Sequence, residues 1–177
     1  MCNCKYHGAL LFLIATGIFL MVYLSGNSAR VDAPTIETVP ATDAQALVSS
    51  GEYQGEWLED YGAAKALAKK LGRPVMLDFS GSDWCGWCIK LHDEATGTDA
   101  FKKYAGEKLV LLMVDFPRTK EQPEETKKQN AALAKEFDIQ GFPTIVLVDA
   151  DGKKLGVTGY VPGGAQAFIA ELEKFMK

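Results

Sequence analysis

Apolar positions in the last two thirds of the chain follow two different periods. Some segments repeat an apolar residue every three or four positions, which is typical of a helix with one buried face. Others are short, nearly continuous apolar runs of strand length. The predicted helices are Glu56–Leu71, Cys88 to about Tyr104, Pro123 to about Asp138, and Gly164–Met176. The predicted strands are Pro74–Ser80, Leu109–Asp115, Thr144–Val148 and Leu155–Tyr160.

The alternation of helices with apolar strands predicts the fold class. Strands that are apolar along their whole length are buried on both faces, so helices must cover both sides of the sheet. The last two strands are joined by Asp149-Ala-Asp-Gly-Lys153, which lacks the third acidic ligand and the glutamate of a calcium loop. A hairpin turn is predicted there instead. The sequence therefore predicts an α/β sandwich domain over residues 51–177.

An uncharged apolar run of sixteen residues, Ala9–Leu24, lies ahead of this domain. Its length falls between the apolar core of a cleaved signal, about 7–15 residues, and a membrane-spanning helix of about 17–25. A signal peptide or signal anchor is predicted over residues 1–26, followed by a linker over residues 27–50. Both interpretations place the domain on the extracytoplasmic (periplasmic) side, either secreted or anchored in the membrane through residues 9–24.

Composition and charge narrow the function. The formal net charge is -4, which argues against a nucleic-acid partner because such surfaces concentrate Lys and Arg. The chain has four cysteines, too few for a small fold held together by disulfides. Cys2 and Cys4 precede the apolar run, so they would lie on the cytoplasmic side or be removed with a signal. Cys85 and Cys88 must therefore be interpreted for their chemistry.

Cys85 and Cys88 stand three residues apart in Trp84-Cys-Gly-Trp-Cys88, where a predicted strand gives way to a helix. Positions three apart share one helix face, at a spacing that a disulfide requires. Free N–H groups in the first turn would lower the pKa of the Cys85 thiol. The thiolate attacks a disulfide, and Cys88 then resolves the mixed disulfide. No bound cofactor is implied, because the two sulfurs carry the electrons.

Three other interpretations of the pair remain open but weaker. A structural disulfide would close so short a loop that it removes little entropy from the unfolded chain. A zinc site would need two further ligands, for which only His92, His7 and the Cys2/Cys4 pair are available. Covalent haem attachment requires histidine directly after the second cysteine, where Ile89 stands. Redox chemistry is the favoured prediction, and no metal site is predicted.

Three segments together resemble the thioredoxin family: Asp78-Phe79 at a strand end, Trp84-Cys-Gly-Trp-Cys88, and Gly141-Phe-Pro-Thr144 before a strand. The Trp-Cys-Gly-Trp-Cys variant is similar to bacterial envelope thioredoxin-like proteins and to the reductive domains of thiol:disulfide interchange proteins. The resemblance covers about Glu56–Lys177. It implies a three-layer α/β/α sandwich with a central mixed sheet. The apolar run Ala9–Leu24 would precede this domain as an N-terminal hydrophobic helix.

The same resemblance implies a thiol–disulfide oxidoreductase that exchanges disulfides with cysteines of extracytoplasmic proteins. Its partners would be protein dithiol or disulfide substrates and a membrane or soluble redox partner. The alternative is a non-catalytic thioredoxin-like module, tethered to the membrane, that holds partner chains.

The resemblance also assigns catalytic residues. Cys85 would be the attacking thiol and Cys88 the resolving one. Pro143 would be a cis-proline that lies against the pair and presents the backbone of Phe142 to a bound chain. Asp78 would take the proton from Cys88, although it stands seven residues before the first cysteine and the family spacing is six.

The predicted substrate-binding residues surround the pair: Trp84, Gly86, Trp87, Phe142 and Thr144. Trp84 has a second interpretation as a core aromatic. Trp87 replaces the proline of thioredoxin, so its backbone N–H is available to the sulfur of Cys85 and would favour the reduced form. His92 lies four residues beyond Cys88, so a position on the same helix face, where it would tune the pair, is one interpretation; a surface position is the favoured prediction.

Overall fold

A computed structural model of the protein describes residues 53–177. The strands are β1 (Trp57–Leu58), β2 (Val75–Ser80), β3 (Val110–Asp115), β4 (Thr144–Val148) and β5 (Lys154–Thr158). The helices are α1 (Tyr61–Leu71), α2 (Gly86–Leu91), α3 (Asp99–Lys108), α4 (Glu124–Glu136) and α5 (Gly164–Glu173). A π-helical turn, His92–Thr96, continues α2. The predicted signal or anchor, the linker, Cys2 and Cys4 lie outside the described residues, and within residues 53–177 no helix has the length and apolarity needed to cross a membrane.

The five strands form one mixed sheet in the order β1-β3-β2-β4-β5. The pairs β1·β3 and β2·β3 are parallel, whereas β2·β4 and β4·β5 are antiparallel. One face packs against α1 and α4, and the other against α2, α3 and α5. The predicted mixed sheet between two helical layers is therefore confirmed.

The central strand β2 is buried on both sides, as its apolar sequence predicts. Val75, Leu77 and Phe79 face the core under α1 and α4, while Met76 faces the core under α2, α3 and α5. All four are fully buried. Strand side chains alternate between faces, so Asp78 shares the face of Met76 and lies on the side of α2.

The predicted helix Glu56–Leu71 was wrong at its start. Trp57 and Leu58 pair with β3 as a short edge strand, and α1 begins only at Tyr61. The carboxylate of Asp60 accepts a hydrogen bond from the N–H of Ala63 at 2.6 Å. This N-cap satisfies a free donor of the first turn and so defines where the helix begins.

The predicted continuous helix from Cys88 to Tyr104 is interrupted. The π-helical turn ends at Thr96, with Gly97 as its C-cap, and a new helix begins at Asp99 with Thr98 as its N-cap. The Thr98 hydroxyl accepts from the N–H of Phe101 at 3.3 Å. A polar cap in the middle of an apolar pattern thus starts a separate helix in place of a longer one.

Candidate active site

The site is built at one edge of the sheet, where three loops meet. Ser80, the last residue of β2, is paired with Asp115, the last residue of β3. Phe79 is paired with Thr144, the first residue of β4. The loop after β2, the loop after β3 and the loop before β4 are therefore neighbours.

Cys85 and Cys88 form a disulfide with their Cα atoms 5.2 Å apart. Cys85 is the N-cap of α2, and its sulfur accepts a hydrogen bond from the N–H of Cys88 at 3.3 Å. A tight turn sets this position, since the N–H of Cys85 donates to the carbonyl of Gly81 at 2.8 Å. The predicted placement of one cysteine at the start of the helix and the other inside its first turn is what the structure shows.

The hydrogen bond to the Cys85 sulfur comes from Cys88 and not from Trp87, which was the expected donor. An N-cap side chain accepts from the second or third residue of its helix, and Cys88 is the third. The expectation that the N–H of Trp87 donates to the Cys85 sulfur is therefore wrong for the disulfide form. The Trp87 side chain is 58% exposed beside the disulfide.

Asp78 is a buried acid on the α2 side of the sheet. Its partners on the neighbouring strands are Met113 and Ile145, so neither strand supplies a cation. Its Oδ1 atom has no hydrogen-bond partner among the described residues. Burial, with a smaller contribution from the carboxylate of Asp115, raises the pKa of Asp78 to about 7. Such a carboxyl group exchanges a proton near neutral pH.

The loop before β4 contains a cis peptide between Phe142 and Pro143. The Thr144 hydroxyl donates to the carbonyl of Gly141 at 2.7 Å, so it braces this loop from within. The ring of Phe142 lies 5.9 Å from that of Trp84, edge to face. The loop is therefore brought against the residue that precedes the disulfide.

Trp84 is a surface residue and does not belong to the core. It is 36% exposed, and its indole N–H donates to the carbonyl of Phe116 at 2.8 Å. The guanidinium of Arg118 lies over the indole, 3.8 Å from the ring centroid. Phe116 also stacks on Phe142 at 5.2 Å. We call Phe116, Trp84 and Phe142 the aromatic wall; it stands on the Cys85 side of the site.

A second aromatic pair stands on the other side. The ring of Trp87 lies 5.2 Å from that of Tyr160, which follows β5. Lys90 Nζ is 5.2 Å from the Trp87 ring and 5.1 Å from the Tyr160 ring. The Tyr160 hydroxyl donates to Glu94, which also lies 3.8 Å from Lys90 Nζ. These contacts join α2 to the loop after β5.

Asp83 fastens the loop after β3 to the loop that carries the cysteines. Its carboxylate accepts from the backbone N–H groups of Arg118, Thr119 and Lys120 and from the Thr119 hydroxyl. The hydroxyl and N–H donors hold the pKa of Asp83 well below its usual range. We call residues 116–120 the clamped loop.

The structure thus gathers the predicted residues at one edge, with some differences in what they contact. Gly86 is exposed, and a Cβ built there would meet nothing within 4 Å. His92 is exposed as predicted, and its imidazole packs over Gly97, where a Cβ would lie 2.7 Å from Nε2. The described residues contain no group of three or more His, Cys, Asp or Glu side chains placed to hold a metal ion.

Sequence reasoning missed the clamped loop and Tyr160. The clamped loop could have been found, because the carboxyl ends of parallel strands meet at one edge and residues 116–120 directly follow β3. Nothing in the sequence pointed to Tyr160, whose position depends on the register of the β4–β5 hairpin.

Comparison with known proteins gives the same assignment. A family model described as a thioredoxin-like domain matches residues 61–176. The chain belongs to the thioredoxin-like family. Disulfide bond reductase DsbH of Chlamydia pneumoniae is 39% identical over 122 residues, which cover 69% of this chain and 73% of that protein. The thiol:disulfide interchange protein DsbD of Klebsiella pneumoniae is 38% identical over 111 residues, 61% of this chain but only 17% of the relative.

Among solved structures, this thioredoxin-like chain is similar to one titled DsbH oxidoreductase. The TM-score is 0.65 at 38% identity, and the match covers 68% of this chain and 83% of that one. The predicted family, fold and enzyme class are confirmed: the protein is a thiol–disulfide oxidoreductase with a thioredoxin-like fold.

Proposed function

We propose that the protein reduces disulfides in extracytoplasmic proteins through Cys85 and Cys88. The observation that supports this most directly is the position of the Cys85 sulfur. It lies at the start of α2 and accepts the N–H of Cys88 at 3.3 Å. A donor at this sulfur stabilises the thiolate relative to the thiol, and the thiolate is the nucleophile of disulfide exchange. The reductive direction is supported by the name of the DsbH relative.

The proposed reaction has two exchange steps. The Cys85 thiolate attacks one sulfur of the substrate disulfide, which forms a mixed disulfide and releases the other substrate sulfur as a thiolate. Cys88 then gives its proton to Asp78 and attacks the Cys85 sulfur, which frees the second substrate thiolate. Two electrons pass from the cysteine pair to the substrate, and the Cys85–Cys88 disulfide is the product. A dithiol on a membrane or soluble redox partner restores the reduced pair.

The surroundings of the disulfide support binding of an extended chain. The loop with the cis Phe142–Pro143 peptide lies beside Trp84, where the backbone of Phe142 would be presented to the chain. Gly86 leaves open space above the start of α2. Trp87, more than half exposed, would contact the chain from the other side. Thr144 would act indirectly, by bracing the loop.

The proposed compartment rests on the sequence ahead of the domain. The apolar run Ala9–Leu24 would export the domain as a signal peptide or hold it at the membrane as an anchor. Fusing a reporter that is active only outside the cytoplasm to the C-terminus tests this proposal. Loss of reporter activity on deletion of residues 9–24 is expected; an inactive fusion of the full chain would contradict it.

Trapping tests the chemistry. In Cys88→Ala the second step is blocked, so mixed disulfides through Cys85 should accumulate in cells and disappear on reduction. The double variant, with Cys85→Ser added, is the matched control and should trap nothing. If Cys88→Ala traps no partner, or if Cys85→Ser keeps full biological function, the proposed reduction of partner proteins is contradicted and the alternative of a binding module is favoured.

The role of Asp78 has its own test. In Asp78→Asn the attack of Cys85 should keep its rate, while release of the mixed disulfide should slow by about a hundredfold, as expected when a general base is lost. Rapid-mixing kinetics with a chromophoric disulfide separates the two steps. Equal release rates in the variant and the wild type would remove Asp78 from the mechanism.

A further inference from the structure

Arg118 lies over the residue that precedes Cys85 and makes no ion pair within residues 53–177. Its guanidinium stacks on the indole of Trp84, the residue before Cys85, at 3.8 Å. The side chain is exposed, and among residues 53–177 no carboxylate comes within 4.0 Å of it. Stacking engages the face of a guanidinium and leaves its N–H edge free to donate. The donors at this edge are therefore available to an external acceptor.

The clamped loop holds Arg118 in place. Asp83 accepts from three consecutive backbone N–H groups, beginning with that of Arg118 itself. The indole N–H of Trp84 donates to the carbonyl of Phe116 at the start of the same loop. The backbone of Arg118 is thus attached to the loop of the cysteines at several points. A side chain held in this way loses less entropy when it binds a partner.

Arg118 is accompanied by a second cation, although the chain as a whole carries a net charge of -4. Lys120 lies on the same loop, with its Nζ 3.3 Å from the Ser82 hydroxyl. The nearby carboxylates are already engaged: Asp83 by the clamped loop, and Asp115 by the N–H and hydroxyl of Ser82 at 2.8 and 2.6 Å. The oxygens of Asp83 and Asp115 are therefore occupied within the protein, while the guanidinium of Arg118 remains available to an external acceptor.

Trp84, which belongs to the aromatic wall, lies directly under Arg118. A chain that lays its cysteine against Cys85 would contact the rings of Trp84 and Phe142 and pass beneath Arg118. We propose that Arg118, assisted by Lys120, selects partner segments that carry an Asp or Glu close to the reacting cysteine. This inference rests on the proposed function, since it names the class of substrate that the same site prefers.

The test compares two short peptides, each joined through its one cysteine to a neutral chromophoric thiol. They differ only in Glu or Gln two residues from the cysteine. For each peptide, the rate constant of its reaction with the reduced protein is divided by the rate constant of its reaction with a small neutral dithiol. This ratio removes the intrinsic difference in reactivity between the two peptide disulfides. Wild type should prefer the Glu peptide by about two- to fivefold, the range for a surface ion pair. The preference should shrink as salt is added.

Variants test whether Arg118 is the residue that causes the preference for the Glu peptide. In Arg118→Gln the ratio should fall to about one, and Arg118→Lys should retain part of it because the charge remains. Lys103→Gln is the matched control: it removes one positive charge from an exposed site on α3, in the region of Tyr53 and away from the disulfide. Its ratio should equal that of the wild type.

Each other outcome is decisive. Equal rates for the two peptides in the wild type would overturn the inference alone and leave the proposed function standing. So would an unchanged ratio in Arg118→Gln, or the same loss in Lys103→Gln. If reduced wild-type protein reacts with neither peptide, the proposed function fails and the inference fails with it.

Discussion

Replacing Asp78 by asparagine should change how the stability of the fold depends on pH. Burial raises the pKa of this carboxyl group from 3.8 to about 7 in the folded protein. In the unfolded chain the group titrates near its ordinary value. Between these two values the folded state holds a proton that the unfolded state has released. The wild type should therefore lose stability as pH rises from about 4 to about 7, whereas Asp78→Asn has no proton to lose there.

The magnitude follows from the two pKa values. Each pKa unit is worth 1.36 kcal/mol, so the full effect is about 4 kcal/mol, of which about 3 kcal/mol falls between pH 4.5 and 8.5. The buried amide of asparagine lacks partners, as Oδ1 of Asp78 does now. That cost is the same at every pH and shifts the whole curve. Only the difference in slope between variant and wild type reports the titration.

Urea unfolding of the oxidised protein, without reductant and at half-unit steps from pH 4.5 to 8.5, measures this difference. Asp83→Asn is the matched control, because the pKa of Asp83 is lowered rather than raised. A lowered pKa gives stability that is complete above about pH 4 and is lost only in more acidic solution. The Asp83→Asn curve should therefore run parallel to that of the wild type. If the stability curve of Asp78→Asn also runs parallel to that of the wild type, the conclusion that Asp78 is buried and holds a proton near neutral pH is refuted.

Two substitutions test the packing that supports the site. Gly81→Ala would place a Cβ 2.5 Å from the indole of Trp84, so it should cost about 1–3 kcal/mol of stability and shift the indole fluorescence. In the control Gly86→Ala, the new Cβ meets nothing within 4 Å, and the loss of stability should be far smaller. Equal losses in the two variants would contradict the packing argument. Tyr53→Phe removes the hydroxyl that accepts the N–H of Leu111 at 2.8 Å. This buried N–H then has no partner, so the free energy of unfolding measured in urea should fall by about 1–3 kcal/mol. No measurable loss would show that this donor finds another partner.

The elements that depend on local pattern were predicted well from the sequence. The continuous apolar run of β2 indicated a strand buried on both faces, and Val75 to Phe79 divide between two cores as expected. The predicted helix end at Leu71 also holds, because Gly72 terminates α1 in the left-handed conformation, with a φ of 64°. The two helix starts that were predicted wrongly are both set by N-caps. Asp60 and Thr98 begin helices where the apolar period alone would run on.

The candidate site was predictable only for those residues that lie close to one another in the sequence. The cysteine pair and its place on α2 follow from spacing and helix geometry. The positions of Arg118 and Tyr160 follow from strand pairing between distant segments, which a single sequence does not report. The donor to the Cys85 sulfur was assigned wrongly because capping geometry selects Cys88 over Trp87 at this terminus. Roles for the residues around the disulfide thus stay predictions until they are tested.

The most direct test of the account is the pH dependence of alkylation in the reduced protein, with the modified cysteine identified by mass spectrometry. The Cys85 sulfur accepts a hydrogen bond from an N–H at the start of α2, whereas Cys88 lies inside the first turn of that helix; both side chains are buried in the disulfide form. Cys85 should therefore react first, with an apparent pKa clearly below the roughly 8.5 of a free thiol, while Cys88 stays protected. If Cys88 reacts first, or if Cys85 titrates like a free thiol, the assignment of Cys85 as the attacking residue is contradicted.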